Sequence, residues 1–211
     1  MKEKNLIFDI DGTLWDSTGL VAKGYNLQLR DEGIPVPEVT SAMLKPLFGK
    51  TLTEIADRMF SHIEVPERYA LMERCMVREH EVLESDPCHI AFPGVVETLH
   101  RLAQDHDLYI VSNSQKGYPE LTMKKLGITH LFKGHLCFGD TGTCKGQTIA
   151  RLMHQYHMES ALYIGDTQGD YEATIEAGVP FVFCAYGFGA PESYDARIDS
   201  FAQLPQALQN M

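Results

Sequence analysis

The sequence predicts an α/β fold, a doubly wound and mainly parallel Rossmann-like sheet with an inserted all-helical cap. Two observations predict it. Short apolar runs without polar alternation recur along the chain, and helical patterns follow them, as in sheets buried on both faces. A long stretch, residues 16–87, interrupts this rhythm with helical patterns alone. Together they indicate one α/β domain that carries a helical insertion.

Apolar runs predict the strands of the sheet. Four of them are expected to be buried parallel strands, at residues 5–9, 108–112, 161–165 and 180–184. Residues 135–138 form a weaker fifth candidate. Between these runs lie two helical stripes, which comprise Val95, Val96, Leu99 and Leu102, and Ile149, Leu152, Met153 and Tyr156. Strands that alternate with helices favour a doubly wound sheet.

The insertion is predicted from helical spacing. Residues 16–87 are expected to form the helical cap, and residues 1–15 with 88–211 the α/β catalytic core. Apolar residues recur at helical intervals in two stripes, Leu52, Ile55, Ala56, Met59, Phe60 and Ile63, and then Tyr69, Met72, Met76 and Leu83. Prolines and glycines separate these stripes from their neighbours.

Composition limits the class of partner and compartment. The 211 residues carry a net charge of −11 and no run of basic residues, which argues against nucleic acid or an anionic membrane as the main partner. No segment is long and apolar enough to span a bilayer, and the N-terminal apolar stretch is too short for a signal peptide. Five cysteines without a CxxC pair fit reduced thiols. We therefore expect a cytoplasmic protein, and the oligomeric state stays open.

Polar residues follow the predicted strands. Strand one ends in Asp9-Ile10-Asp11-Gly12-Thr13, and the run 108–112 ends in Ser112-Asn113-Ser114. Lys145 opens the helix after the weak fifth strand, and the run 161–165 leads into Gly165-Asp166-Thr167-Gln168-Gly169-Asp170. Ligands of open α/β sheets bind beyond the carboxyl ends of the strands, so these groups should converge on one edge.

Phosphoryl transfer to a carboxylate needs this set of groups. Mg²⁺ takes oxygen ligands, and carboxylates of Asp9 and Asp166 with the backbone carbonyl of Asp11 can supply them. Asp9 can then attack phosphorus, while Asp11 can protonate the leaving oxygen and later deprotonate water. Ser112 and nearby backbone N–H groups, including that of Asn113, can bind the phosphoryl oxygens. The Lys145 ammonium can balance their charge.

The motifs DIDGT, a strand-terminal serine, a later lysine and GDxxxD, in this order, resemble those of the haloacid dehalogenase superfamily. Within it the chain is similar to the phosphoglycolate-phosphatase-like hydrolases, which carry a helical cap after the first motif. The resemblance implies a Mg²⁺-dependent phosphatase, a phosphoric monoester hydrolase, with Asp9 as nucleophile and Asp11 as acid/base. It also implies metal ligation by Asp9, Asp11 and Asp166, with Asp170 supporting the metal or its waters. True dehalogenases lack the second aspartate, so Asp11 argues for phosphate chemistry.

Other functions remain open at this point. The main expectation is hydrolysis of a small phosphorylated metabolite through an aspartyl phosphate. A phosphomutase or a phosphonate hydrolase of the same superfamily, or a catalytically silent regulatory binding protein, is the alternative. Lys50, in the cap segment LFGKTLTE, is a candidate specificity residue because related enzymes place a substrate loop there. Lys116, in SNSQKG, is a weaker candidate for an anion contact.

Overall fold

The structure, a computed structural model, describes residues 4–211 and divides into two compact units. Ile90–Met211 and the N-terminal stretch up to Asp16 make one, and Ser17–His89 makes the other. Residues 1–3 lie outside the described part of the chain. They belong to the predicted catalytic core and to the N-terminal stretch for which no signal peptide is expected. The assignment of the two units as catalytic core and cap stays a prediction.

The larger unit contains the sheet. Within residues 4–211, six strands form one sheet in which every pairing is parallel, in the order β3-β2-β1-β4-β5-β6. The α/β, doubly wound prediction is therefore confirmed. The strands are β1 (Asn5–Phe8), β2 (Asp107–Ser112), β3 (Phe132–Cys137), β4 (Leu162–Gly165), β5 (Phe181–Cys184) and β6 (Ala196–Ile198).

Helices of the larger unit follow its strands. They are α5 (Val95–Leu102), α6 (Tyr118–Leu126), α7 (Phe138–Thr141), α8 (Lys145–Gln155), α9 (Gln168–Ala177) and α10 (Leu204–Asn210), with short 3₁₀ helices at Thr129–Leu131 and Phe201–Gln203. Side chains of β1, β2, β4 and β5 pack on α8 and α9 in one core cluster, in which Ile7, Ile149 and Tyr163 are fully buried. This packing explains why the central strands read as continuous apolar runs.

Two strands differ from the prediction. The weak fifth candidate, residues 135–138, is shifted: β3 begins at Phe132, and Phe138 starts a short helix instead of ending the strand. Strand β6 was not predicted at all. Both are edge strands, and their side chains are only partly buried, so the apolar signal that identifies a central strand is weak in each.

Register brings the functional segments to one edge. Phe8, the last residue of β1, lies opposite Ile110 of β2 and Ile164 of β4. Asp9 continues this line, because its N–H donates to the Ile164 carbonyl over 2.9 Å. Since all the strands run in the same direction, the residues that follow β1, β2 and β4 lie at the same end of the sheet.

The chain leaves and re-enters this unit at neighbouring points. Residues 14–16 pair with residues 90–92, through Asp16 N–H to Ile90 O at 2.9 Å and Phe92 N–H to Leu14 O at 3.1 Å. Trp15 and Ala91 form the antiparallel bridge between them. The insertion thus begins and ends at two segments that are hydrogen-bonded to each other, so it can be accommodated without interrupting the sheet.

The smaller unit is helical in its described residues. Helix α3 begins at a capping box, in which Thr51 and Glu54 satisfy each other's backbone N–H groups. It ends at Met59, so the predicted stripe overran it: Ile63 lies in the turn beyond, where its N–H donates to Phe60 O. The helices are α1 (Thr18–Asp31), α2 (Ser41–Leu44), α3 (Leu52–Met59) and α4 (Glu67–Ser85).

Two general findings bear on the composition-based expectations. None of the helices in residues 4–211 combines the length and apolar character that crossing a bilayer requires. All five cysteines are free thiols, three of them buried and two exposed.

Candidate active site

Asp9 emerges from β1 into a tight loop. The Ile10 carbonyl accepts hydrogen bonds from the N–H groups of Thr13, Leu14 and Trp15, and Gly12 N–H donates back to Trp15 O over 2.9 Å. Gly12 has a φ of +85°, which a residue with a side chain rarely adopts. The loop therefore turns within five residues, and it leaves Asp9 buried at the end of the sheet.

Ser112 ends β2 beside this loop. It is buried, and its Oγ accepts a hydrogen bond from Ser114 N–H at 3.2 Å. Asn113 follows it and is partly buried. Because Phe8 pairs with Ile110, Ser112 lies at the same level of the sheet as the residues that follow Asp9. The structure thus places Ser112 and Asn113, two of the three predicted phosphate-binding residues, at the edge that carries Asp9.

Lys145 connects two carboxylates. It is the first residue of α8, and its Nζ lies 2.8 Å from Asp9 Oδ1 and 2.6 Å from Asp170 Oδ1. All three side chains are at least nine-tenths buried. The ammonium also lies 5.8 Å from the centre of the Tyr163 ring. Such desolvated charge pairs hold their geometry firmly, because breaking one leaves a buried charge without compensation.

Asp170 is held by the start of α9. Its Oδ2 accepts hydrogen bonds from the N–H groups of Asp166 and Thr167, at 3.1 and 2.9 Å, and from Thr167 Oγ1 at 2.7 Å. Thr167 Oγ1 in turn accepts from Asp170 N–H, which completes a capping box. Both Asp170 oxygens are therefore engaged by protein groups, so its carboxylate orients Lys145 and the Asp166 backbone.

Asp166 follows β4 in a narrow, backbone-lined cleft. Its Oδ2 accepts a hydrogen bond from Phe188 N–H at 2.6 Å, and Thr13 Oγ1 lies 3.5 Å from its Oδ1. A methyl group added at Gly12 or at Gly187 would come within 2.5 Å of the Asp166 side chain. Only glycine at these two positions allows the backbone to approach this carboxylate so closely.

The cluster carries more negative charge than its lysine balances. Burial raises the pKa of Asp9 to about 7, although Lys145 opposes the shift. Burial, together with Asp170 and Asp9, holds the pKa of Asp166 well above its usual range. Burial, the largest influence on Asp170, would raise its pKa too, but Lys145 and the Thr167 hydrogen bonds together keep that pKa low. Asp9 and Asp166 are thus the carboxylates that lack sufficient positive charge.

A hard cation fits this deficit. Ligand atoms of Asp9, Asp166 and Asp170 all lie within 4.8 Å of one another, and all three residues are buried. Carboxylate oxygens without sulfur or imidazole are the donor set that Mg²⁺ prefers. Since Asp170 already binds Lys145, Asp9 and Asp166 have the donors and the uncompensated charge that such an ion would use.

Asp11 lies apart from this acidic cluster. Its carboxylate does not belong to the three-carboxylate group; instead its Oδ1 accepts from Trp15 Nε1 at 2.8 Å and from Tyr118 Oη at 2.9 Å. Asp9 and Asp11 therefore have separate environments, one charged and one built from aromatic donors. Any metal ligation by Asp11 would come from its backbone carbonyl, as the sequence predicts.

Lys50 and Lys116 are the two further lysines that the sequence singles out. Lys50 belongs to the smaller unit, where it is partly buried and its N–H donates to Leu47 O over 3.2 Å. Lys116 is exposed on the loop that follows Ser112. Their contacts with substrate stay predictions.

Several residues around the site were not predicted from the sequence. Thr167 has a recognisable signal, since threonine three residues before Asp170 matches a capping box. The Tyr163 hydroxyl donates to Val111 O at 3.0 Å and lies 3.4 Å from Asp170 Oδ1. In the sequence, however, Tyr163 is indistinguishable from the apolar residues of its strand. Phe188 contributes only its backbone N–H, which no residue type reveals.

Known proteins resemble this chain in sequence and in fold. Residues 6–184 match the family described as haloacid dehalogenase-like hydrolase. The chain is 29% identical to a phosphoglycolate phosphatase of Xanthomonas campestris, over 96% of this chain and 93% of that protein. It is 27% identical to pyrophosphatase PpaX of Listeria monocytogenes, over 84% and 83%. A Haemophilus somnus structure described as a "predicted phosphoglycolate phosphatase" shares the fold, with a TM-score of 0.84, 24% identity and 98% of each chain covered.

Proposed function

Because the chain belongs to the haloacid dehalogenase-like hydrolase family, we propose that it hydrolyses a small phosphorylated metabolite through an aspartyl phosphate on Asp9, with Mg²⁺ as cofactor. The coarser class is already established: the family and the curated relatives confirm the predicted phosphatase, a phosphoric monoester hydrolase. The proposal adds the nucleophile, the metal and the substrate class.

The observation that supports the proposal most is the Asp9–Lys145–Asp170 arrangement at the edge of the sheet. The Lys145 ammonium fixes one oxygen of Asp9 over 2.8 Å. A carboxylate held this way is available as a nucleophile, since its direction is set before substrate arrives. The same ammonium can balance charge on the phosphoryl oxygens, beside Ser112 and the Asn113 backbone.

Asp9 and Asp166 would hold Mg²⁺, with the Asp11 backbone carbonyl as a further ligand. When bound, the ion supplies charge that neutralises the phosphate oxygens and draws an anionic substrate to an acidic protein. Asp170 would support this site indirectly, because its two oxygens bind Lys145, Thr167 and the Asp166 N–H. Glycine at positions 12 and 187 would keep Asp166 in place.

Asp9 and Asp11 would divide the chemistry between them. In the first step an Asp9 oxygen forms a bond to phosphorus, the P–O ester bond breaks, and Asp11 gives its proton to the departing oxygen. In the second step Asp11 removes a proton from water, which attacks phosphorus and releases phosphate and the Asp9 carboxylate. The Asp11 carboxylate lies outside the acidic cluster, which suits this role, because the group that carries the proton then does not itself bind the cation.

The relatives narrow the substrate class. One curated relative is named for phosphoglycolate and another for pyrophosphate, both small and strongly anionic. We propose a substrate of this size and charge. Because these relatives are named as phosphatases, we favour a phosphatase over a phosphomutase, a phosphonate hydrolase or a silent binding protein. The cytoplasm, where such metabolites occur, remains the proposed compartment.

A phosphate-release assay tests the proposal. Purified protein is incubated with p-nitrophenyl phosphate, 2-phosphoglycolate or pyrophosphate, first with excess chelator and then with Mg²⁺ restored. We expect hydrolysis that stops on chelation and returns with Mg²⁺, and a preference for one of the two metabolites over the generic ester. Equal rates in chelator and in Mg²⁺ would contradict the metal site, and no hydrolysis of any ester would contradict the catalytic role.

A further inference from the structure

The Asp11 carboxylate is held by two aromatic donors at a single oxygen. Oδ1 accepts a hydrogen bond from the Trp15 indole Nε1–H at 2.8 Å and another from the Tyr118 hydroxyl at 2.9 Å. Both aromatic side chains are almost fully buried. Their rings pack edge to face, 5.7 Å between centres at an interplanar angle of 79°. The pair therefore supports itself as well as Asp11.

Different parts of the chain bring these donors together. Trp15 lies beside Asp11 because the loop after β1 closes through the Gly12 N–H to Trp15 O hydrogen bond. Tyr118 arrives from β2: it is the first residue of α6, after Gly117 at a φ of +88°. The arrangement depends on two loops of the sheet edge at once, so it is a built feature of the fold.

Two donors on one oxygen determine where a proton can reside. An indole N–H can only donate, so Oδ1 must offer it a lone pair whether Asp11 is ionised or protonated. Within a carboxylic acid the carbonyl oxygen is the better acceptor, and the hydroxyl oxygen carries the proton. With Trp15 and Tyr118 both donating to Oδ1, the proton of neutral Asp11 belongs on Oδ2.

We propose that Tyr118 and Trp15 are positioning residues for the acid/base group: they fix Asp11 Oδ1 as the acceptor, so that Oδ2 delivers and receives the proton. The inference rests on the proposed function. In the first step the Oδ2–H proton passes to the ester oxygen as the P–O bond breaks, which leaves the Asp11 carboxylate and a free alcohol. In the second step Oδ2 takes a proton back from water.

Leaving-group dependence distinguishes this role from a general structural one. Phenol, with a pKa of about 10 like the tyrosine side chain, departs with difficulty unless it is protonated. Nitrophenol is far more acidic and departs with little help. The two esters, phenyl phosphate and p-nitrophenyl phosphate, have almost the same shape, so a change in binding affects both alike. The parameter kcat/KM reports the steps up to formation of the aspartyl phosphate.

The variant is Tyr118→Phe, which keeps the ring on Trp15 and removes only the hydroxyl. We expect kcat/KM for phenyl phosphate to fall by roughly tenfold, part of the 10²–10⁴-fold that general acid catalysis contributes. For p-nitrophenyl phosphate we expect less than about a threefold loss, since little protonation is needed. Tyr69→Phe is the matched control, because its hydroxyl also donates to a carboxylate, Asp57 Oδ1 at 3.1 Å, in the smaller unit. That control should change neither value.

An NMR measurement tests the arrangement without turnover. The chain has one tryptophan, so ¹⁵N-labelled protein gives one indole N–H resonance, that of Trp15. In Tyr118→Phe this resonance should move downfield, because the indole no longer shares Oδ1 with the hydroxyl. A second variant, Asp11→Asn, removes the negative charge and should move it upfield. Tyr69→Phe should leave it in place.

The outcomes separate the two proposals. Equal losses on both esters, no loss on phenyl phosphate, or an indole resonance that neither variant moves would each overturn the positioning role. If Tyr118→Phe does not fold, the Asp11→Asn resonance still decides whether Trp15 binds this carboxylate. If the wild-type protein hydrolyses neither ester with Mg²⁺, the proposed function fails and this inference fails with it, whatever the resonance shows.

Discussion

Asp9 and Asp11 stand one residue apart in the sequence but have different partners in the fold. Asp9 faces Lys145 and the acidic cluster, while Asp11 is bound by Trp15 and Tyr118. Ile10 between them is fully buried, as expected where alternate residues of an extended segment face opposite sides. Alternation alone would place both carboxylates on the same side. The tight loop that begins at Ile10 brings Trp15 to Asp11, so the two carboxylates have different partners.

Replacing the proposed nucleophile tests the residue-level assignment. Asp9→Asn keeps the size of the side chain but removes the attacking oxygen, so kcat should fall at least roughly a thousandfold. Asp107→Asn is the control. Asp107 begins β2, at the opposite end of the strand from Ser112, and its carboxylate forms a salt bridge with the surface residue Lys4 at 3.2 Å. This control should retain full activity. An Asp9→Asn protein with a tenth of wild-type activity would mean that another group attacks phosphorus.

The sequence could locate the charged residues of the site but not their aromatic partners. Asp9, Ser112, Lys145 and Asp166 each follow a strand, and parallel strands end at one edge, so their proximity follows from the fold class. Tyr118 bonds to a carboxylate more than a hundred residues earlier. That contact depends on where a helix starts and which way a ring points, and neither leaves a pattern in the sequence.

At the level of elements, the strands that are buried on both faces of the sheet are the ones that the sequence predicts well. The four central strands are almost entirely buried, and each was predicted to within one residue at either end. The edge strands β3 and β6 expose part of their length, which removes the continuous apolar run. Helix α9 shows a different kind of signal, because its start is set by a capping box that also serves the site.

Helix capping and site geometry should therefore be coupled at α9. Thr167→Ala removes the N-cap hydroxyl, which should cost about 1 kcal/mol of unfolding free energy. It should also lower kcat/KM several-fold, because Asp170 loses a partner that orients it toward Lys145. Thr167→Ser should restore both. The control is Thr40→Ala, which removes the N-cap of α2, where Thr40 Oγ1 accepts from Met43 N–H.

Thr40→Ala should lower stability and leave kcat/KM unchanged. Denaturant unfolding and steady-state kinetics measure the two effects separately. If Thr167→Ala lowered stability alone, the cap would have no part in positioning Asp170.

For the whole molecule, we propose that the two units have different roles, one in the chemical steps and one in substrate specificity. The acidic cluster, Lys145 and Asp11 belong to the unit that contains the sheet, whereas Lys50 belongs to the helical unit. A protein with a net charge of −11 needs local cations to attract an anionic substrate. Lys50 is the candidate that the sequence singles out for this role, so its removal should affect substrates unequally.

Lys50→Ala tests that separation. If Lys50 contacts the non-reacting part of the metabolite, kcat/KM for the preferred natural substrate should fall roughly tenfold, equivalent to about 1.4 kcal/mol. Hydrolysis of p-nitrophenyl phosphate should hardly change, since this ester lacks the group that Lys50 would bind. Arg58→Ala, an exposed cation in the same unit, is the control and should affect neither substrate. Equal losses on both substrates would argue that Lys50 only maintains the structure.

The strand order also has a consequence for folding during synthesis on the ribosome. Strand β1 precedes β2 and β4 in the chain but lies between them in the sheet, so it cannot be flanked on both sides until the chain has been synthesised through Gly165. Asp9 is thus translated well before Lys145, Asp166 and Asp170, the residues that complete its surroundings. Ser17–His89 is contiguous in sequence and forms a compact unit, so it can fold before β4 is available to pair with β1. A nascent chain arrested before Gly165 should therefore contain a folded helical unit, while the edge of β1 that pairs with β4 is still open and can bind chaperones.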